Sequence, residues 1–303
     1  MSLHEYRNVL ILSGGSGGER KISYQSCKEI AASLNRLNIQ NRLYDIKTPQ
    51  DLGLIVKNES FSHAFIGIHG SYGENGLIQT LLESLSIPYT GTKTGGSAMM
   101  WDKIATKQIA SFHGIPVLPF QRVTGPDDYE EIQESLGPEL CLKPIAAGSS
   151  NGISFCKTSD EFRLSFFRVT KEGTGIFAEP LCKAREISVS ILLDQLLPLV
   201  EIKYSGEFYD YQAKYHDSST QLVPLPGKDL IYSRISEFAE RIYSVSKLRG
   251  FVRVDFFLKG EKIYLSEVNT IPGLTSHSIF PFAAKLAGIS FDEMIKRILL
   301  ASS

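Results

Sequence analysis

The sequence predicts a mixed chain in which a parallel α/β unit is followed by two α+β units, and three observations carry that prediction. Apolar strands and amphipathic helices alternate up to Ser97, the pattern of a parallel sheet. Beyond Ser97 the texture changes to strands joined by small-residue loops. The length of 303 residues, 43% of them hydrophobic, leaves room for two or three domains.

The elements follow in order. "NVLILSGGSGGERKISYQSCKEIAASL" reads as a buried strand, a glycine-rich turn and a helix. "HAFIGIHG" is a second apolar strand, and "GLIQTLLESLSIPYTG" a helix leading into a short strand. These fill a first domain over residues 1–97. "SAMMWDKIATKQIASFHGIPV" is predicted helical, and "ELCLKPIAAGSSNGISFCK" gives two strands around a glycine-serine loop; this second domain spans 98–181. "TGIFAEPLCKAREISVSILLD" supplies a strand, a break and another strand. The third domain, 182–303, contains the long strands "GFVRVDFFL" and "EKIYLSEVN" and a closing amphipathic helix, "SFDEMIKRILLAS". There is no internal repeat and no low-complexity segment.

Charge narrows the function classes. Lysine and arginine (32) nearly cancel aspartate and glutamate (33), which argues against broad electrostatic capture of nucleic acid or an anionic membrane. No basic-aromatic platform for nucleic acid is present either. No apolar run approaches a membrane span of about 18 residues, and Met1 to Arg7 is too polar for a signal sequence. Cys27, Cys141, Cys156 and Cys182 are far apart and form no CxxC pair, so reduced thiols in a cytoplasmic protein are expected.

The chemistry concentrates near the C-terminus. In "LSEVNTIPGLTSHS", Glu267 and Asn269 stand two apart on a strand and therefore share a face. On the preceding strand, Arg253 and Asp255 do the same. A two-residue turn at Lys259–Gly260 would pair Asp255 with Tyr264 and put Glu267 on the opposite face. A three-residue loop, Leu258–Gly260, would pair Asp255 with Ile263 and unite Asp255, Glu267 and Asn269, with Gly260 at the left-handed position. Three hard oxygen donors beside an arginine suit Mg²⁺ bridging phosphates; a solvated strand face is the plain alternative.

Cations for phosphate lie in the middle of the chain. Lys143 follows an apolar strand, and the small residues from Ala146 to Gly152 can close backbone N–H groups over phosphate oxygens. Lys103 is a second candidate, although a single lysine is most often a surface charge. The loop lacks the GxxxxGK[ST] order of a Walker A site, and "GGSGGER" is not the GxGxxG of a dinucleotide site.

Taken together, "GGSGGERKIS", "IHGSYGENG", "DKIATK", "LKPIAAGSSNG", "EFYDYQAKY", "RVDFF" and "EVNTIPGLTSHS" resemble the D-alanine–D-alanine ligases of the ATP-grasp superfamily, in order and in spacing, from about residue 8 to residue 300. "FYDYQAKY" and "PGLTSHS" narrow the likeness to that family. It implies a three-domain ATP-grasp architecture, with an N-terminal parallel-sheet domain and two α+β domains clamping ATP. The implied reaction phosphorylates one D-alanine and couples the acyl phosphate to the amine of a second, for peptidoglycan synthesis.

The resemblance also implies roles. Glu19 would grip the ammonium of the first D-alanine, with His69 beside it. Lys103, Lys143 and Lys214 would clamp phosphates, while Glu179, Leu181, Cys182 and Glu186 would seat adenine and ribose. Asp255, Glu267 and Asn269 would hold two Mg²⁺ (or Mn²⁺). Arg253 and the Gly273 N–H would face the developing negative charge. Ser278 and Ile279 would seat the second carboxylate, and Ser149 and Tyr215 would close two loops toward Glu19. Relatives are commonly homodimers through the N-terminal domain. Pro180 stands where a basic residue is frequent in the family, and His216 matches no recurrent feature. A ligase making D-alanyl-D-lactate is a close rival, disfavoured by Tyr215. A non-catalytic nucleotide binder is disfavoured by the full set of Arg253 and its acidic neighbours.

Overall fold

The structure is a computed structural model that describes residues 6, 8–15, 19–58, 60–148, 152–173, 175–204, 220–225 and 229–302. Ser149, Lys214, Tyr215 and His216 lie outside the described residues.

The N-terminal sheet is parallel. Strand β1 (Val9–Gly14) is buried along its whole length and runs between β2 (Asn41–Ile46) and β3 (Ala64–Ile66), in the order β2-β1-β3. A strand covered on both faces needs a continuous apolar run, and "VLIL" supplies it. Helix α1 (Arg20–Arg36) makes the first crossover and buries Cys27, Ile30 and Leu34. Helices α2 (Pro49–Asn58) and α3 (Leu77–Ser84) follow, and Tyr89 adds a parallel bridge to Ala64.

The helix expected across residues 97–117 is two helices. Helix α4 (Thr94–Trp101) ends at Asp102, whose backbone is extended, and α5 (Lys103–Phe112) starts from it. The Asp102 carboxylate accepts the Ala105 N–H at 2.9 Å. An aspartate caps a new helix more readily than it continues an old one, and the break turns Lys103 toward the Ala146–Gly148 segment.

The central sheet is antiparallel, in the order β4 (Gln121–Val123), β7 (Ile176–Pro180), β5 (Leu140–Pro144) and β6 (Ser154–Cys156). Helices α6 (Tyr129–Leu136) and α7 (Ser159–Val169) cover it, and Ile132, Leu142 and Phe162 form its own small core. The C-terminal sheet runs β11 (Gln221–Pro224), β10 (Val200–Lys203), β8 (Arg185–Leu192), β12 (Phe251–Lys259) and β13 (Lys262–Asn269), with the short β9 (Gln195–Leu196) on β8. Helix α8 (Leu230–Val245) packs beneath it through Ile235, Ala239 and Ile242.

The last two helices, α9 (Ile279–Leu286) and α10 (Phe291–Leu300), return to the N-terminal sheet. Phe251 on β12 sits between Phe65 of β3 and Phe280 of α9, with ring centroids 6.3 and 6.0 Å away. Arg36 of α1 donates to both carboxylate oxygens of Asp292 on α10, at 2.8 and 2.6 Å. The core of the first sheet is therefore completed by residues more than 200 positions away.

No helix among the described residues is long and apolar enough to cross a membrane. The four cysteines are free thiols, and Cys27, Cys141 and Cys156 are buried.

Candidate active site

The face carrying Asp255, Glu267 and Asn269 is real, but neither of the two expected turns builds it. Lys259 pairs with Lys262, so the loop is Gly260–Glu261, with Gly260 at φ +60° in the first position, where a type II′ turn wants glycine. That register would leave Asp255 facing Ser266. A one-residue bulge at Ser266 corrects it, and Asp255 pairs directly with Glu267 and Arg253 with Asn269. A bulge adds one residue and reverses which side chains face inward; here it supplies the parity that the expected loop was meant to supply.

The cluster is tightly wired. Arg253 Nε lies 3.0 and 3.1 Å from the two Asp255 oxygens, its Nη2 donates to Oδ2 at 2.9 Å, and Glu267 Oε1 is 3.9 Å from Nη2. Ser188 on β8 donates to Asp255 at 2.7 Å, and the Asn269 amide donates to Asp255 Oδ2 at 3.1 Å. No three His, Cys, Asp or Glu side chains gather as a metal cluster among the described residues, since the third donor here is the amide of Asn269. Two carboxylates and an amide oxygen are hard donors and fit Mg²⁺.

Facing this cluster is a cleft of about 990 Å³, open to solvent, between the central and C-terminal sheets. Lys103, Lys143, Glu179, Leu181, Cys182, Glu186, Asp255 and Glu267 all line it. Lys143 pairs with one oxygen of Glu179, and its ammonium lies 5.6 Å from the centre of the Phe257 ring. Lys107, which sequence reasoning passed over, pairs with the other oxygen at 2.8 Å. Burial by itself would raise the Glu179 carboxyl; the charges of Lys143 and Lys107 overturn that and bring it down to about 2. Glu186 accepts from the Tyr204 hydroxyl at 3.0 Å. The Leu181 N–H is already committed to the Glu139 carbonyl at 2.8 Å, which leaves the Leu181 carbonyl and Cys182 as the groups at that edge. Lys103 donates through Nζ to the Ala147 carbonyl and through its backbone to Ile145 at 3.0 Å, so it anchors the start of the glycine-serine loop.

Beyond the metal-type cluster, the N-terminal domain contributes a second pole. Glu19 occupies the N-cap position of α1 but makes no capping bond with its side chain, and it is 8% exposed. Its carboxylate instead points at Gly70 and Gly148: a Cβ on Gly148 would stand 2.7 and 2.8 Å from the two oxygens. His69 Nδ1 lies 2.9 Å from the Ile271 carbonyl, which can only accept, so that nitrogen carries the proton. Its Nε2 is 3.3 Å from the Ser26 hydroxyl, which in turn receives the Leu274 N–H at 3.3 Å. Burial keeps this imidazole neutral and lowers its pKa to about 4. Glu74 accepts the Gly70 N–H at 2.9 Å, and burial, with the Glu19 charge next, raises its carboxyl to about 8.

At the end of the same segment, Gly273 lies against Ser278: a Cβ there would meet the Ser278 hydroxyl at 2.8 Å. Ser278 Oγ is 2.8 Å from the Thr275 hydroxyl, and Ile279 opens α9 as its first residue. Thus Arg253, Gly273, Ser278, Ile279, His69 and Glu19 belong to segments linked by a continuous run of hydrogen bonds and contacts.

The family described as D-ala D-ala ligase C-terminus matches residues 109–300. The D-alanine–D-alanine ligase of Syntrophotalea carbinolica is 34% identical over 99% of this chain and 97% of its own. The chain belongs to the D-alanine–D-alanine ligase family. Its fold is similar to that of the Bacillus anthracis ligase solved with ATP, with a TM-score of 0.84 at 27% identity and 97% of each chain covered. It is equally similar to D-alanyl-alanine synthetase A from Vibrio cholerae, with a TM-score of 0.85, 27% identity and 98% of each chain covered. The ATP-grasp architecture expected from the sequence is therefore observed in this family member.

Within that family frame, Ser26, Glu74, Lys107 and Ser266 are residues of this region that sequence reasoning missed, while Gly148 lay in the Ala146–Gly152 loop, which was read only for its backbone N–H groups. Lys107 had a legible signal: it stands four residues after Lys103 on a helix, and so shares its face. Ser26 and Glu74 had none, because their partners come from distant segments.

Proposed function

We propose that this protein joins two D-alanines into D-alanyl-D-alanine with conversion of ATP to ADP and phosphate, supplying a peptidoglycan precursor in the cytoplasm. The observation that carries this reading is that lysines, Glu179, Asp255 and Glu267 line one cleft, with Arg253 and Asn269 bonded to Asp255, while Glu19 packs against Gly148 of the loop that Lys103 anchors. Family membership and the likeness to a ligase solved with ATP support it.

In this reading Lys103 and Lys143, with Lys214, bind the phosphates, and Glu179, Leu181, Cys182 and Glu186 seat the nucleoside. Asp255, Glu267 and Asn269 would hold Mg²⁺ or Mn²⁺, which when bound neutralises phosphate charge. Glu19 holds the ammonium of the first D-alanine. The carboxylate oxygen of that D-alanine attacks the γ-phosphorus, the bond to the β-phosphate oxygen breaks, and ADP leaves. Arg253 cannot lose its proton, and with the Gly273 N–H it steadies the negative charge on the acyl phosphate and on the tetrahedral oxyanion. The second D-alanine, its carboxylate on Ser278 and the Ile279 N–H, attacks through its amine; the amine loses a proton and inorganic phosphate departs. His69 is neutral and held in place by two hydrogen bonds, which suits it to position the first D-alanine rather than to add charge. Ser149 and Tyr215 close the site against water, which would otherwise hydrolyse the acyl phosphate. We also assign a homodimer through the N-terminal domain, testable by light scattering.

The test is phosphate release with ATP and Mg²⁺ in the presence of D-alanine, L-alanine or D-alanine plus D-lactate, with products identified by mass. D-Alanine-dependent formation of D-alanyl-D-alanine is expected. Glu267→Gln should lower kcat roughly a thousandfold, the scale of several kcal/mol of metal-borne charge stabilisation. Turnover only with another acid–amine pair would defeat the substrate assignment.

A further inference from the structure

We propose that Lys107 is a specificity-positioning residue: at the base end of the cleft it holds Glu179 as an acceptor-only carboxylate aimed at an exocyclic amine, and so sets the preference for ATP over 6-oxo nucleotides. This rests on the reading above that the nucleoside lies against Glu179.

Lys107 and Lys103 occupy the same face of α5, one turn apart, yet they do different things. Lys103 reaches the Ala147 carbonyl at the loop, the phosphate end. The Lys107 side chain is only 4% exposed and reaches Glu179 Oε2 at 2.8 Å. The rings of Phe120 and Phe177 flank its ammonium, with centroids 5.6 and 5.9 Å away. Two aromatic rings and one carboxylate thus hold this ammonium at the wall of the cleft. Lys143, at 13% the more exposed of the two, shares Glu179 from the other side and lines the same cleft.

The consequence follows from charge balance. Glu179 is 2% exposed, and a buried carboxylate stays ionised only if it is paired. A triphosphate draws Lys143 toward itself, and Lys107 is then the cation left to Glu179. An ionised carboxylate only accepts hydrogen bonds, whereas a protonated one also donates. The ionised form therefore welcomes the 6-amino group of adenine and repels a 6-oxo group. Burial lowers the pKa of Lys107 while Glu179 raises it, and the net direction is downward; the ion pair is what keeps such an enclosed amine charged.

Steady-state kinetics with ATP and with ITP, whose base carries an oxygen in place of the amine, test this on the full chain. Lys107→Met should lower kcat/KM for ATP by roughly ten- to a hundredfold, the worth of a hydrogen bond to a charged group, mainly through KM. Activity with ITP and the KM for D-alanine should move less than about threefold, so that the ATP/ITP preference collapses. Lys107→Arg should retain most of the preference. Equal losses with both nucleotides, or an unchanged ratio, would reduce Lys107 to a support of the fold and overturn the proposal. Glu179→Gln separates the two layers. An unchanged ratio in that variant removes the nucleoside seat, and the proposal with it; a changed ratio there but not in Lys107→Met sinks the Lys107 role alone. If Lys107→Met does not fold, the double variant Lys107→Met/Glu179→Gln removes both members of the enclosed pair and leaves only Lys143, which lines the cleft, without its Glu179 partner. The double variant's ATP/ITP ratio should equal that of Glu179→Gln, and a difference between them would count against the mechanism.

Discussion

Gly148 lies directly against the carboxylate of Glu19, although one belongs to the central domain's loop and the other to the first helix of the N-terminal domain. No side chain fits between them. The loop that Lys103 anchors through Ala147 is thereby brought against Glu19.

Gly148→Ala should therefore damage catalysis while leaving the fold intact. The added methyl would meet both Glu19 oxygens below 3 Å, and Gly148 has no positive φ to strain. With Glu19 in the proposed role of holding the first D-alanine, displacing either partner by a fraction of an ångström should cost roughly a hundredfold in kcat/KM. Kinetics in D-alanine together with a thermal melt check this: a lowered melting temperature with normal kcat/KM would mean that the contact serves folding.

His69 makes stability depend on pH in a direction that can be worked out. Its imidazole has a pKa of 6.5 when unfolded and about 4 when folded, so between those values the unfolded chain binds more protons. The stability it contributes is complete above pH 6.5 and is lost as pH falls toward 4, by about 3 kcal/mol in total. Chemical denaturation from pH 7 to pH 4 should show this slope in the wild type and a shallower one in His69→Gln. Identical slopes would mean that the ring titrates normally.

How much of this was legible in the sequence depends on where each residue's partner comes from. Strand alternation was enough to put Arg253 with Asp255 and Glu267 with Asn269. Joining the two pairs needed a register, and the bulge at Ser266 that sets it leaves no mark in composition, since a serine pairs in a ladder as well as it bulges. Asp102 is a residue type that caps helices, but it stands inside a helical run that reads as one helix. Helical spacing could place Lys107 on the face of Lys103, but not its pairing with Glu179; that contact, like those of Glu74, depends on burial, which periodicity cannot report for a charged side chain. The return of α9 and α10 to the first sheet is a long-range packing fact with no local signal at all.

That return makes Phe251 the most consequential core residue for the assembly of the whole chain. It is fully buried and touches Phe65 from the N-terminal sheet and Phe280 from α9, while its own strand carries Arg253 and Asp255 two and four positions further on. Phe251→Ala removes a ring that three segments share, and truncations of this kind cost about 3–5 kcal/mol when the cavity cannot collapse. Because the cavity would lie between β3 and α9, with His69 three residues beyond the one and Ser278 at the N-cap of the other, activity should fall at temperatures where the protein is still folded. Phe251→Leu should restore most of the stability, since it refills much of the volume. Urea denaturation of the three proteins, followed by assay at a temperature well below each midpoint, distinguishes the outcomes. A loss below about 1 kcal/mol for the alanine variant would show that the N-terminal and C-terminal elements hold together without this ring.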